Sequence, residues 1–96
     1  MTKNDAYAPA PTAVAAGGTL LLRPDNGNEL VIHNIVHSTD ARLEKTDGTT
    51  VITVDTITGS TPWMGLQLHC TYDVYYQVTN ISATTNNIAP DGVVSK

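Results

Sequence analysis

Ninety-six residues make one domain, and a domain of this size has a thin stability margin. The chain has no Phe, one Trp, four Tyr and a single cysteine, Cys70, so an internal disulfide framework is excluded. The net charge is −4, and the five basic residues (Lys3, Arg23, Arg42, Lys45 and Lys96) are scattered, which excludes the basic cluster that nucleic acid requires.

The chain reads in two parts. Residues 1–18 are rich in Ala, Pro and Gly and cannot build a core. Ala8-Pro9-Ala10-Pro11 favours extended backbone, because Pro fixes its own φ and biases the preceding residue away from helix. Gly17-Gly18 stops any helical turn begun at Ala13. This segment is expected to be an N-terminal arm, disordered alone or ordered on a partner. Lys3 is followed by Asn4, Asp5 and two prolines, not by an apolar stretch. The expectation is therefore no secretory signal, no membrane partner, and synthesis in a reducing cytoplasm.

Residues 19–96 read as a β-domain. Thr19 to Arg23 is the first strand, and Pro24 to Asn28 turns it through Asn26-Gly27. Glu29 to His37 is the second strand. Strict alternation puts Leu30, Ile32 and Val36 on one face and Val31, His33, Ile35 and His37 on the other. Both faces are apolar, so this strand is expected to be covered on both sides. Ala41 to Thr46 is a third strand, with Ala41, Leu43 and Lys45 alternating against Arg42 and Glu44. Asp47-Gly48 signals a hairpin into Thr50–Ile57, which is nearly all β-branched.

Gly59 to Pro62 breaks the chain. Met64, Leu66, Leu68 and Cys70 then alternate inward against Gly65, Gln67 and His69. After a turn at Thr71-Tyr72-Asp73, Val74, Tyr76 and Val78 point in, and Tyr75, Gln77 and Thr79 point out. Ile88 centres a short last strand, and Asp91-Gly92 reads as a final turn. The expected core includes Ile32, Leu66, Leu68, Val74, Tyr76 and Val78. Six to eight short strands without a useful helix predict an all-β protein, a small antiparallel β-sandwich or barrel.

Constellations that carry chemistry are weak. On a strand, His33 and His37 would lie roughly 13 Å apart, too far to share one metal. His69 and Cys70 are adjacent and point to opposite faces, so they form no nucleophilic pair. Asp25 to Glu29 offers oxygens without the loop geometry of a calcium site. No catalytic residue, metal or cofactor is expected, and the chain does not read as an enzyme. The candidate interface residues are Tyr7 in the arm, Val31, His33, Ile35 and His37 on the second strand, Trp63 beside Pro62, and Tyr75 on a polar strand face.

Several segments together resemble a group of short phage-encoded proteins. They are Ala15 to Leu20, Val31 to Ile35 (Val-Ile-His-Asn-Ile), Thr46 to Thr49 (Thr-Asp-Gly-Thr), Thr79 to Ser82 and Asp91 to Val93. The resemblance spans about residues 15–95 and is one of strands and turns. It implies a small bacteriophage virion protein, such as a head decoration (cement) protein or a tail component. The expected partner is the major capsid protein or another virion protein, and the expected assembly is a homo-oligomer, with a trimer favoured. The alternative is a carbohydrate- or receptor-binding module of a phage tail or fibre, with Trp63, Tyr72 and Tyr75 as a stacking platform.

Overall fold

The computed structural model describes residues 1–96 and contains nine strands and no helix. They are β1 (Ala6–Tyr7), β2 (Thr12–Val14), β3 (Thr19–Leu22), β4 (Glu29–His37), β5 (Ala41–Thr46), β6 (Val51–Ile57), β7 (Leu68–Thr71), β8 (Tyr75–Asn80) and β9 (Asn86–Val94). The β-branched run Val51–Ile57 and the turns at Gly27 and Gly48, both at positive φ, lie where the sequence predicts them. All strand pairs are antiparallel. One sheet runs β1-β9-β4-β7, with β2 also on β9; the other runs β3-β8-β5-β6. The two sheets form a small β-sandwich, not a closed barrel.

The N-terminal segment is extended, as its prolines require, but it is not a detached arm. Ala6 and Tyr7 pair with Val93 and Gly92, and Thr12 to Val14 pair with Ile88 to Asn86. The prolines fall between these two pairings, where no N–H is needed. Small side chains cannot build a core, yet the backbone can still complete the edge of β9. Val14 is the one side chain of the segment that is buried.

The decisive local feature is a β-bulge. Ile32 is opposite Gly92 and Asn34 is opposite Asp91, which leaves His33 as an extra residue on β4. A bulge resets which side chains face inward. Leu30 and Ile32 point into the core before it, and Ile35 and His37 point into the core after it. Val36, expected to share the face of Ile32, is exposed. So β4 is not apolar on two faces; it has one apolar face interrupted by one residue. Gly92 is not a turn residue either, but sits inside the nine-residue β9. A Cβ on Gly92 would lie 2.0 Å from the Val31 carbonyl oxygen and 2.9 Å from the Ile32 Cα, so only glycine fits.

The core gathers Leu22, Ala41, Leu43 and Val78 from one sheet and Leu30, Ile32, Ile35, Cys70, Ile88 and Val94 from the other. Leu68 and Val78 are buried as expected, whereas Leu66 and Tyr76 are only partly buried. Val74 is exposed because it closes a turn: the Thr71 N–H donates to its carbonyl at 2.7 Å. Met64 is exposed because the strand starts only at Leu68; Gly65 at φ 67° breaks the alternation first. In β5, Glu44 is buried and Lys45 exposed, the reverse of simple alternation by polarity.

Two buried asparagines pin the loops to this core. Asn86 Oδ1 accepts from the N–H groups of Ser38 and Thr39, and its amide donates to the carbonyls of Thr39 and Asp40. The Asn80 amide donates to the carbonyls of Val14 and Thr84, and its oxygen accepts from Ser82. Every buried side-chain polar atom has a partner. Replacing Gly92 with Ala forces the β4 and β9 backbones apart and should cost about 3 kcal/mol or more. Urea denaturation of the Gly92→Ala protein measures this, and a midpoint equal to wild type would mean that the bulge yields freely.

Candidate functional site

The predicted interface residues do not form one surface. Ile35, His37, Trp63 and Tyr75 are buried within the domain, with exposures of 0%, 2%, 6% and 5%. The bulge turns Ile35 and His37 inward. Trp63 pairs with Ile35 through two backbone hydrogen bonds, stacks its ring beside His37, and donates its indole N–H to Asp55 at 2.8 Å. Tyr75 is covered by Arg23, whose guanidinium lies 4.8 Å from its ring centre. Tyr7, Val31 and His33 are half-buried. Burial raises the Tyr7 hydroxyl above its ordinary pKa, with a smaller contribution from Cys70.

No group of three or more His, Cys, Asp or Glu side chains is placed to hold a metal. Cys70 is fully buried, and burial pushes its thiol up to about 11, so it behaves as a small hydrophobe. His69 points away to the surface and bonds Glu29. The hydrogen bond from His69 draws the Glu29 carboxyl below its ordinary range. No helix is long and apolar enough to cross a membrane.

Among the strands that end the two sheets, β6 is the longest. Strand β6 ends the second sheet, pairs only with β5, and is exposed along almost its whole length. Val51, Ile52 and Val54 are 49%, 61% and 50% exposed. The hairpin that presents this strand is well held. Asp47 Oδ1 accepts from the N–H groups of Thr49 and Thr50, which lowers its carboxyl below the usual range, and Gly48 supplies the positive φ. Val54 is an extra residue between the Thr53–Glu44 and Asp55–Leu43 pairs.

Ile52 pairs with Lys45, which pairs with Tyr76, so the three share one face. Ile52, Val74, Lys45, Thr46, Asp47 and Thr50 line a shallow cavity of about 320 Å³. Its one cation and one anion leave it neutral. The exposed apolar edge and the cavity are continuous through Ile52. The sequence signal is Val51–Ile57 itself, six of whose seven residues are β-branched, with neither Lys nor Pro to guard it as an edge strand.

Behind β6, the opposite face of the sheet carries a polar network centred on Glu44. Arg42 donates to one carboxylate oxygen at 2.9 Å; Gln77 and Thr79 donate to the other. Burial raises the Glu44 pKa, but the hydrogen bonds from Thr79, Gln77 and Arg42 outweigh it, and the net shift is downward. This network stiffens β5 and β8 behind the free strand.

No protein-family model and no curated protein matches the chain.

Because the folded carboxyl of Glu44 is the stronger acid, its contribution is present above the unfolded value of about 4.3 and is lost as pH falls through the folded value. Glu44→Gln should therefore lower stability by about 2 kcal/mol at pH 7, with the gap from wild type closing as the solution is acidified below about pH 4. Thermal melts of both proteins from pH 7 to pH 3 check the sign. A gap that widens in acid would contradict it.

Proposed function

We propose that the protein is a virion structural component that decorates or cements a phage capsid as a symmetric homo-oligomer, attached through the free edge of β6. Two things support this reading. One is the resemblance in residues 15–95 to short phage-encoded proteins. The other, which carries it, is the long apolar edge of β6, where Val51, Ile52 and Val54 are exposed.

An edge strand presents unpaired N–H and C=O groups that another strand can complete, and exposed side chains beside it add apolar contact. Val51, Ile52, Val54 and Val74 supply that contact, with Lys45 and Asp47 beside them as the charges a partner must meet. The N-terminal arm is already spent on β9, so the lock across subunits falls to β6. A specific interface typically buries roughly 800 Å² on each partner, so a partner would have to cover surface beside the strand as well as its edge.

The carbohydrate reading loses its platform. Trp63 and Tyr75 are internal, and the ring of Tyr72 is faced by the Arg23 guanidinium at 3.8 Å.

The test places a gatekeeper on the edge. Ile52→Lys with Val54→Lys alters two exposed side chains, so each should change folding stability by no more than about 0.5 kcal/mol. The variant should keep its β-rich circular dichroism spectrum, run as a monomer under light scattering, and be missing from particles viewed by electron microscopy. Wild-type oligomerisation and full particle occupancy in a folded double variant would overturn the reading.

A further inference from the structure

We infer that Asn26 is a site of spontaneous covalent modification, at which the Gly27 nitrogen closes on the asparagine side chain and converts it to aspartate and isoaspartate. The turn between β3 and β4 holds the pair in the open. The Asn28 N–H donates to the Asp25 carbonyl at 2.9 Å, and Gly27 takes a φ of 91° while Asn26 stays at negative φ. The Asn26 side chain is exposed, and the Gly27 N–H donates to no group of the chain. Apart from its chain neighbours, no atom lies within 4 Å of where a Cβ on Gly27 would stand, so the nitrogen is unshielded. Closure requires the Asn26–Gly27 peptide to rotate until its nitrogen meets Cγ. Glycine accepts either sign of φ, so this plane can turn while Asp25 and Asn28 keep their bond, as between turns of type II and type I.

The other asparagines are blocked. The N–H that would attack is already donating after Asn4 (Asp5 to the Thr2 carbonyl), Asn28 (Glu29 to Lys96), Asn34 (Ile35 to Trp63), Asn80 (Ile81 to Asp40) and Asn86 (Asn87 to the Ser38 hydroxyl). After Asn87 comes Ile88, a fully buried β-branched residue paired on its two sides with Thr12 and His37. The amides of Asn28, Asn34, Asn80 and Asn86 are themselves hydrogen-bonded. An engaged nitrogen attacks only after its bond opens, which in a paired strand costs local unfolding. Asn26 alone joins a free amide to a free N–H that carries no side chain.

The reaction balances with water as its one co-reactant. The Gly27 nitrogen bonds to Asn26 Cγ, the Cγ–Nδ2 bond breaks, and the amide nitrogen leaves as ammonia with the Gly27 proton. Water then opens the cyclic imide, and nothing is oxidised or reduced. Cleavage between Cγ and the ring nitrogen leaves aspartate at position 26. Cleavage at the main-chain carbonyl leaves isoaspartate, whose main chain runs through Cβ and Cγ and is one carbon longer. Either product adds a negative charge beside Asp25. The longer chain also displaces Asn28, whose amide donates to the carbonyls of Met1 and Lys96. It displaces Glu29 as well, which exchanges backbone hydrogen bonds with Lys96 and Ser95, both at 2.9 Å. The isoaspartyl turn therefore loosens the start of β4 from the residues after β9 and leaves the second sheet alone.

The test holds the intact, folded protein in mildly alkaline ¹⁸O-labelled water and follows its peptides by mass spectrometry. Labelling with an isoaspartyl methyltransferase identifies the longer product. Asn26 should take up heavy oxygen at least about tenfold faster than any other asparagine of the chain. The methyl label should fall on the same peptide and vanish in Asn26→Ser, an exposed substitution that leaves the fold intact. In the isoaspartyl form, separated by ion exchange, amide exchange at Glu29 and Ser95 should quicken about tenfold while β5 and β8 keep their protection. Asn26 that persists while other asparagines convert overturns the proposal, and so does conversion that waits for unfolding in urea. Unchanged exchange at Glu29 and Ser95 in the modified chain overturns the loosening. The wild-type peptides decide the site whatever the variant does.

Discussion

The close approach of β4 and β9 is the constraint on which the rest of this structure depends. Gly92 lets the Val31 carbonyl come where a side chain would stand, and His33 bulges out of register beside it. Without that extra residue Ile35 and His37 would face solvent and Val36 would face the core. With it, one strand lines the core from end to end, and Trp63 can pair with Ile35. The bulge also turns Asn34 to receive the Gly65 N–H and to donate to Asp91, so the segment after Trp63 is guided along β4 until β7 begins.

A small core gains from this arrangement because polar groups inside it are fully used. Aliphatic side chains supply most of the burial, and the aromatic contribution is slight. Asn80 and Asn86 then do for the loops what a larger protein does with volume, each holding several backbone groups at once. Such networks carry a risk, since a half-satisfied buried amide costs more than an apolar substitute. Their completeness here means the connections are defined by hydrogen bonds rather than by bulk.

Much of the fold was legible in the residues. The limits of β4 fall at Glu29 and His37 as alternation and turn signals require, and the hairpin around Asp47-Gly48 forms where its dipeptide predicts. Three features escaped for physical reasons. A bulge leaves no compositional mark: Val-Ile-His-Asn-Ile looks like a strand with two apolar faces until its opposite glycine is known. Asp91-Gly92 carries turn chemistry but serves a close approach, because glycine answers both demands equally well. The N-terminal segment lacks core-forming side chains, but strand pairing uses backbone groups, to which hydrophobicity is blind. The candidate site was legible only as a β-branched run; that its outer edge stays bare is a property of strand order, which no local pattern reveals.

The margins of the first sheet are built differently from β6. The outer side of β9 is covered by the N-terminal segment, and β4 beyond β7 is covered by the Trp63–Leu66 segment. Strands β3 and β7 also end their sheets, but each is four residues long against the seven of β6. On β6 the chain places Val51, Ile52 and Val54 at the surface, with no lysine or proline to discourage pairing and a single bulge at Val54 to limit its length. Such an edge invites aggregation unless something occupies it. It is also anchored from behind: Glu44 ties β5 to β8, and Asp55 ties β6 to Trp63. A strand with exposed apolar side chains, one bulge and a rigid backing is suited to being completed by a neighbour, because little ordering entropy remains to be lost when the partner arrives.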